Sequence, residues 1–220
     1  MKHRGGVKRR PTRLWLTGGL WLMAAAAWAG HGFMSSFGNI EWLPEPGETP
    51  DSAWYTFDSW EEESQLWRAG DAAGQTPLYL SFAREKLAEV EAMVEAENAA
   101  AAKVAADRYQ DYMDRAGRLI AGLDPQAPDT QELAATAATA LLEHQYILAI
   151  IYEELPAGSR GVVPFLLKTA QTQYTDLSRV LSRKTKGSLF FKEEEVRWNV
   201  QMVLRAEEEG RQDAPSEAER

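Results

Sequence analysis

The chain has 220 residues, 45% of them apolar, which suffices for one ordinary domain with a real core, and its formal charge of -9 is unevenly spread. Lys2, Arg4, Lys8, Arg9, Arg10 and Arg13 precede residue 30 with no acid among them, so removing these six from 24 basic residues leaves 18 against 33 acids, a charge of -15. A remainder this acidic repels nucleic acid and anionic lipid, and the absence of cysteine excludes disulfides, thiolate metal sites and cysteine nucleophiles.

The first predicted element is residues 1–29, a signal peptide or membrane anchor. The basic run Lys2 to Arg13 leads into the apolar stretch Leu14 to Ala29, and Ala27-Trp28-Ala29 has the A-x-A form of a cleavage site. Cleavage after Ala29 is the preferred reading, because sixteen apolar residues fall short of the ~20 a spanning helix needs. A retained anchor would recruit part of residues 30–37, including Phe33, Met34 and Phe37. Both readings export the remainder to a periplasmic or extracellular location. It is soluble if cleaved and otherwise tethered in the inner or cytoplasmic membrane with residues 1–13 inside.

Residues 30–75 read as an irregular strap, with Pro44, Pro46, Gly47 and Pro50 among its aromatics and helix only over 59–68. Its Trp42, Trp54, Tyr55, Trp60 and Trp67 form a candidate interaction surface. The plainer and preferred expectation is that these aromatics pack across a helical bundle and close its core.

Residues 76–209 read as the bundle. Thr76 is an expected N-cap with Pro77 at N1, followed by Leu80, Ala83, Leu87, Val90 and Val94 at helical spacing. Glu97-Asn98 either breaks this helix before Ala99 or lies inside one long helix reaching Leu123. Pro125 and Pro128 mark a turn, and Asp129 with Glu132 has capping-box spacing. The next helix carries Ala134, Ala137, Leu141, His144, Leu148, Ile151 and Leu155 as an a/d seam. A helix over about 163–186 then ends at Gly187, its Arg183, Lys184 and Lys186 suiting a C-terminal dipole. A last helix covers 189–208, and residues 210–220 read as a disordered tail. The fold class is therefore all-α, an antiparallel bundle of about five helices preceded by the aromatic strap.

The segment Pro50-Asp51-Ser52-Ala53-Trp54-Tyr55, then Ala83-Arg84-Glu85-Lys86-Leu87-Ala88-Glu89, then Leu142-Glu143-His144 resembles a family of exported bacterial helical proteins of unknown function. That family has a P-D-S-x-x-Y opening followed by A-R-E-x-L-A-E and L-x-x-H helices. The likeness runs over about residues 44–180. This chain departs from it in placing Asp58-Ser59-Trp60-Glu61-Glu62-Glu63 where a basic residue commonly follows the tyrosine. The resemblance implies the helical fold and export, and no mechanism.

His144 is the one histidine of the helical region, a candidate sensor position because imidazole titrates near neutrality. The preferred expectation is a core histidine hydrogen-bonded across the bundle, since no second His at i+4 completes a zinc site. Glu61-Glu62-Glu63, Glu193-Glu194-Glu195 and Glu207-Glu208-Glu209 read as solvated faces, because consecutive helical residues diverge. No nucleophile elbow, zinc helix or phosphate loop occurs, so no enzyme, cofactor or metal is expected. The expected function is an envelope interaction or structural protein with an unknown envelope partner. The alternative is an envelope ligand or metal sensor at His144. Neither nucleic acid nor lipid is an expected partner, except lipid through residues 14–29.

Overall fold

The computed structural model describes residues 35–212, apart from Asn39 and Glu41. The expectations for residues 1–29 and for the end of the tail fall outside that range. The chain divides into residues 1–34 and a compact unit from Ser35 onward, and it is the second whose packing is described.

Six α-helices and no strand occupy the described residues: α1 (Tyr55–Ala69), α2 (Ala72–Glu95), α3 (Ala99–Ala121), α4 (Pro128–Ile151), α5 (Val162–Ser178) and α6 (Arg183–Gln212). Helices α2 to α6 are the expected five-helix bundle. Short turns join them, so successive helices run antiparallel. The helix of the strap, α1, is longer at its start than the expected 59–68.

Small side chains let the central helices approach closely. Ala102, Ala105 and Ala106 of α3 and Ala134, Ala137 and Ala138 of α4 are buried, while Tyr109 and Tyr112 fill the space between helices. Helix α4 packs against α2, α3, α5 and α6. It is also the one described helix long and apolar enough to cross a membrane, a property shared by core helices, and most of its apolar length is buried in the bundle.

Several helix boundaries differ from the expected ones. Helix α2 starts at Ala72, because Asp71 accepts the Gly74 N–H at 3.0 Å and is the N-cap. Thr76 is therefore a buried residue inside the helix, and Pro77 lies beyond the first turn. Gly74 is required here, since a Cβ would sit 2.5 Å from the Ala69 carbonyl oxygen. Glu97-Asn98 does break the chain into two helices. Asn98 N–H donates to Met93 O and Glu97 N–H to Val94 O, a Schellman stop with Glu97 at φ 54°. Asn98 then caps α3 by accepting from Ala101 N–H.

The expected capping box at Asp129 does not form. Pro128 takes the first helical position and places Asp129 inside the first turn, where its charge suits the helix dipole without capping. The last break comes at 179–182 and not at Gly187. A side chain from α4 decides it: Gln131 Nε2 donates to Val180 O at 2.8 Å and Gln131 Oε1 accepts from Ser182 N–H at 2.8 Å. Ser182 Oγ in turn accepts the Thr185 N–H, so α6 begins there and runs through Gly187 and Gly210. Arg183, Lys184 and Lys186 thus stand at the start of a helix, opposed to its dipole.

Candidate functional site

Helix α1 is amphipathic in an inverted sense. Its inward residues, Asp58, Ser59, Glu62 and Leu66, recur at helical spacing and three of the four are polar. They meet Lys86, which projects from the apolar stripe of α2 and is 1% exposed. The Lys86 ammonium lies 2.7 Å from Glu89, 2.9 Å from Glu62 and 3.3 Å from Asp58, with the Tyr55 ring 5.2 Å away. From α3, Tyr112 Oη donates to Glu62 Oε2 at 2.5 Å, Arg108 donates to Ser59 and Arg115 pairs with Glu63.

These groups hold one another's charge in a dry place. Burial pulls the Lys86 pKa down, but its pairing with Glu62 and Glu89 outweighs this and leaves it above the usual lysine range. Burial pushes the Glu89 carboxyl up to about 7 against the opposing pull of Lys86. Burial likewise raises the Tyr55 phenol to about 12. Tyr55 Oη and Glu89 Oε2 are buried without a hydrogen-bond partner. The cluster fastens α1 by charge, and incompletely.

The opposite face of α1 is aromatic. Phe57, Trp60 and Trp67 recur at helical spacing, and Trp54 stands at the N-cap. Trp54, Phe57, Trp60 and Trp67 are 68, 59, 67 and 84% exposed, with the Phe57 and Trp60 rings 5.9 Å apart. The expectation that the strap aromatics close the core is thereby corrected. Charged groups occupy the inward face of α1, so its tryptophans have no bundle surface left to cover. Trp42 is also exposed, but its backbone carbonyl meets Arg84 of α2. Tyr55 turns inward to Lys86 and is not part of the outer ridge.

His144 lies at a cleft of about 540 Å³ between α2 and α4, whose polar walls include Ser81, Arg84, Glu132, Thr139 and Glu143. The imidazole is itself buried, with Nδ1 3.3 Å from Tyr109 Oη and the two rings edge to face. Burial, with the Arg84 charge behind it, lowers its pKa to about 3, so the ring is neutral at physiological pH. Among the described residues no group of three or more His, Asp or Glu side chains converges as a metal site.

All three glutamate runs are more than solvated faces, the third because Tyr152 Oη donates to Glu207 Oε2 at 3.1 Å. Because consecutive residues point around a helix, one member of each run is turned onto a partner. Glu62 meets Lys86 and Tyr112, and Glu195 accepts from Ser35 and Ser36.

A family model described as a domain of unknown function, DUF5667, matches residues 47–157, half of the chain. The chain belongs to this family. The DUF5667 segment contains α1 to α4, and with them the Lys86 cluster, the aromatic ridge and the His144 cleft. Helices α5 and α6 lie outside the match. No curated protein and no solved structure matches the chain.

The Lys86 cluster in the DUF5667 segment escapes a reading of hydrophobic periodicity. One local signal for it exists. Ala83, Lys86, Leu87 and Val90 share a helix face, so a lysine stands within an apolar stripe, with Glu89 three residues on. Such a lysine needs a buried acid, and α1 is the nearby segment rich in acids.

Proposed function

We propose that the chain is an exported docking module that binds an envelope protein through the aromatic ridge of α1. One observation carries this reading: Trp54, Phe57, Trp60 and Trp67 are exposed along α1 and its N-cap while the other face of the helix is held by charge. Exposed aromatic rings of this kind are the usual anchors of protein interfaces, since they bury much area at little entropic cost. Export rests on the basic run and apolar stretch before residue 30.

Placing a photo-crosslinking amino acid at Trp67, or at Thr172 on α5 as control, tests the reading in cells. The expected result is an adduct of defined mass from position 67 alone. Phe57→Ala with Trp60→Ala removes that adduct and leaves the thermal midpoint unchanged. Absence of any adduct from position 67, in cells where the chain is present outside the cytoplasm, sinks the proposal.

The cleft at His144 favours a second reading, a ligand sensor, since a buried imidazole there borders an open polar space. Its metal form is tested by thermal melts with Zn2+, Cu2+ or Ca2+. A midpoint unmoved by all three removes that form.

A further inference from the structure

A second cavity, of about 250 Å³, lies between the C-terminal halves of α3 and α5 and the middle of α4. It shares no residue with the His144 cleft or with α1. Its floor is apolar, with Ala116, Ala137, Leu141 and Leu177 all buried. Gly117 leaves part of the opening. A glycine inside a helix is destabilising relative to alanine, and a Cβ here would meet nothing within 4 Å, so packing does not require it. The space is below the ~300–1,000 Å³ of pockets for drug-sized ligands, which suits a smaller molecule.

The rim indicates what that molecule carries. Gln173 of α5 donates through Nε2 to Asp114 Oδ1 of α3 at 2.7 Å. This contact fixes the amide, since only its nitrogen can donate to a carboxylate, and it leaves Gln173 Oε1 as an acceptor. That oxygen is buried with no hydrogen-bond partner. Asp114 is half-buried, and among the described residues no cation pairs with it. Both deficits have one sign, because the bridge lacks a donor at Gln173 and a positive charge at Asp114. The other charges on the rim are exposed. Asp176 pairs with Arg179 at 3.1 Å, and Arg118 stands one turn beyond Asp114 with no ion pair among the described residues.

We propose that this cavity binds a small organic cation, an alkyl or aryl body carrying a protonated amine. The ammonium meets the Asp114 carboxylate and, as the amide turns toward it, donates to Gln173 Oε1, while the body lies on Ala116, Ala137 and Leu141. Burial of the body supplies the hydrophobic part of the affinity, and the charge-assisted bonds fix its orientation. The same chemistry occurs in a simple amine and in an apolar amino acid, whose carboxylate would in addition meet Arg118. Because no residue of α1 lines it, the site stands apart from docking through the aromatic ridge.

The test is calorimetric titration of the full-length chain with phenethylamine and isopentylamine, and with hydrocinnamate and isocaproate, which put a carboxylate in place of the ammonium on the same bodies. The expected result is saturable one-to-one binding of at least one amine and of neither acid. Asp114→Asn is expected to weaken the amine by about tenfold or more, the loss of one hydrogen bond to a charged group. Gly117→Leu fills the hollow and abolishes binding while circular dichroism keeps the parent helix content. Phenylalanine or leucine binding more tightly than its amine, with the gain removed by Arg118→Gln, assigns the site to amino acids. Weaker binding assigns it to amines, and both results support the proposal. Failure of both amines and both amino acids at millimolar concentration overturns it. So does binding of the acids as tight as that of the amines, and so does an affinity unchanged in Asp114→Asn or in a folded Gly117→Leu chain.

Discussion

Lys86 sets most of the energetics at the scale of single residues. Removing one partner of a buried ion pair strands the others, at a cost of about 3–5 kcal/mol, whereas replacing the whole set by apolar groups is often neutral. Lys86→Met is therefore expected to lower stability by about that amount in denaturant unfolding at neutral pH. Lys86→Met with Glu62→Leu and Glu89→Leu is expected to recover most of the loss. Two buried groups also set opposing pH dependences. Glu89, raised to about 7, binds more protons folded than unfolded, so its contribution is present at low pH and is lost as pH rises toward 7. His144, lowered to about 3, binds fewer protons folded, so its contribution is present above the unfolded histidine pKa and is lost as pH falls. Between about pH 4.5 and 6.5 the two slopes, each up to about 1.4 kcal/mol per pH unit, cancel. His144→Gln is expected to leave a stability that falls with rising pH across that window, relative to the parent, and Glu89→Gln one that rises. Equal slopes in the parent and both variants would contradict the assignment.

At the scale of elements, the helix ends separate local from remote causes. The α2–α3 break is local: Glu97 and Asn98 supply the Schellman stop and the next cap between them. Glu97 pays for it by holding φ at 54°, a conformation that L residues adopt at a cost of about 1–2 kcal/mol. Glu97→Gly removes that strain but adds unfolded-state entropy, so a net gain of about 0.5–1 kcal/mol is expected, read as a higher thermal midpoint. The α5–α6 break has no such local sign. Gln131 makes it from 49 and 51 residues away, and this is why basic residues that suit a helix end stand at a helix start. Apolar periodicity located all five bundle helices, since burial of one stripe is written into each segment. It misplaced the α5–α6 boundary, where Gln131 from another helix makes the break, and the start of α2, where Asp71 caps the helix ahead of the Thr76-Pro77 pair.

On the scale of the whole molecule, α1 is the loosest described helix by construction. Its backbone lies near α2 alone, and it reaches α3 through side chains. Its inner face has one large apolar anchor, Leu66, and two orphaned oxygens adjoin it in the Lys86 cluster. Local opening follows low apolar burial. Native-state hydrogen exchange is expected to show α1 amides exchanging well before those of α3 and α4, and Lys86→Met is expected to speed α1 exchange selectively. Uniform protection across α1 to α4 would show that the charge cluster fastens α1 as firmly as apolar packing would.

The exposed tryptophans show where sequence and tertiary structure divide. Helical class, helix number, the acidic domain and the seam position of His144 were all legible in the sequence, because periodicity, charge and local caps act within a few residues. Whether Trp60 and Trp67 close the core or face outward was not legible, since that depends on which face of α1 Lys86, on the next helix, requires. The acids of α1 answered Lys86 and turned the aromatics to the surface. Only the folded chain brings those residues together, and a buried charge left unpaired costs more than an aromatic ring left in water.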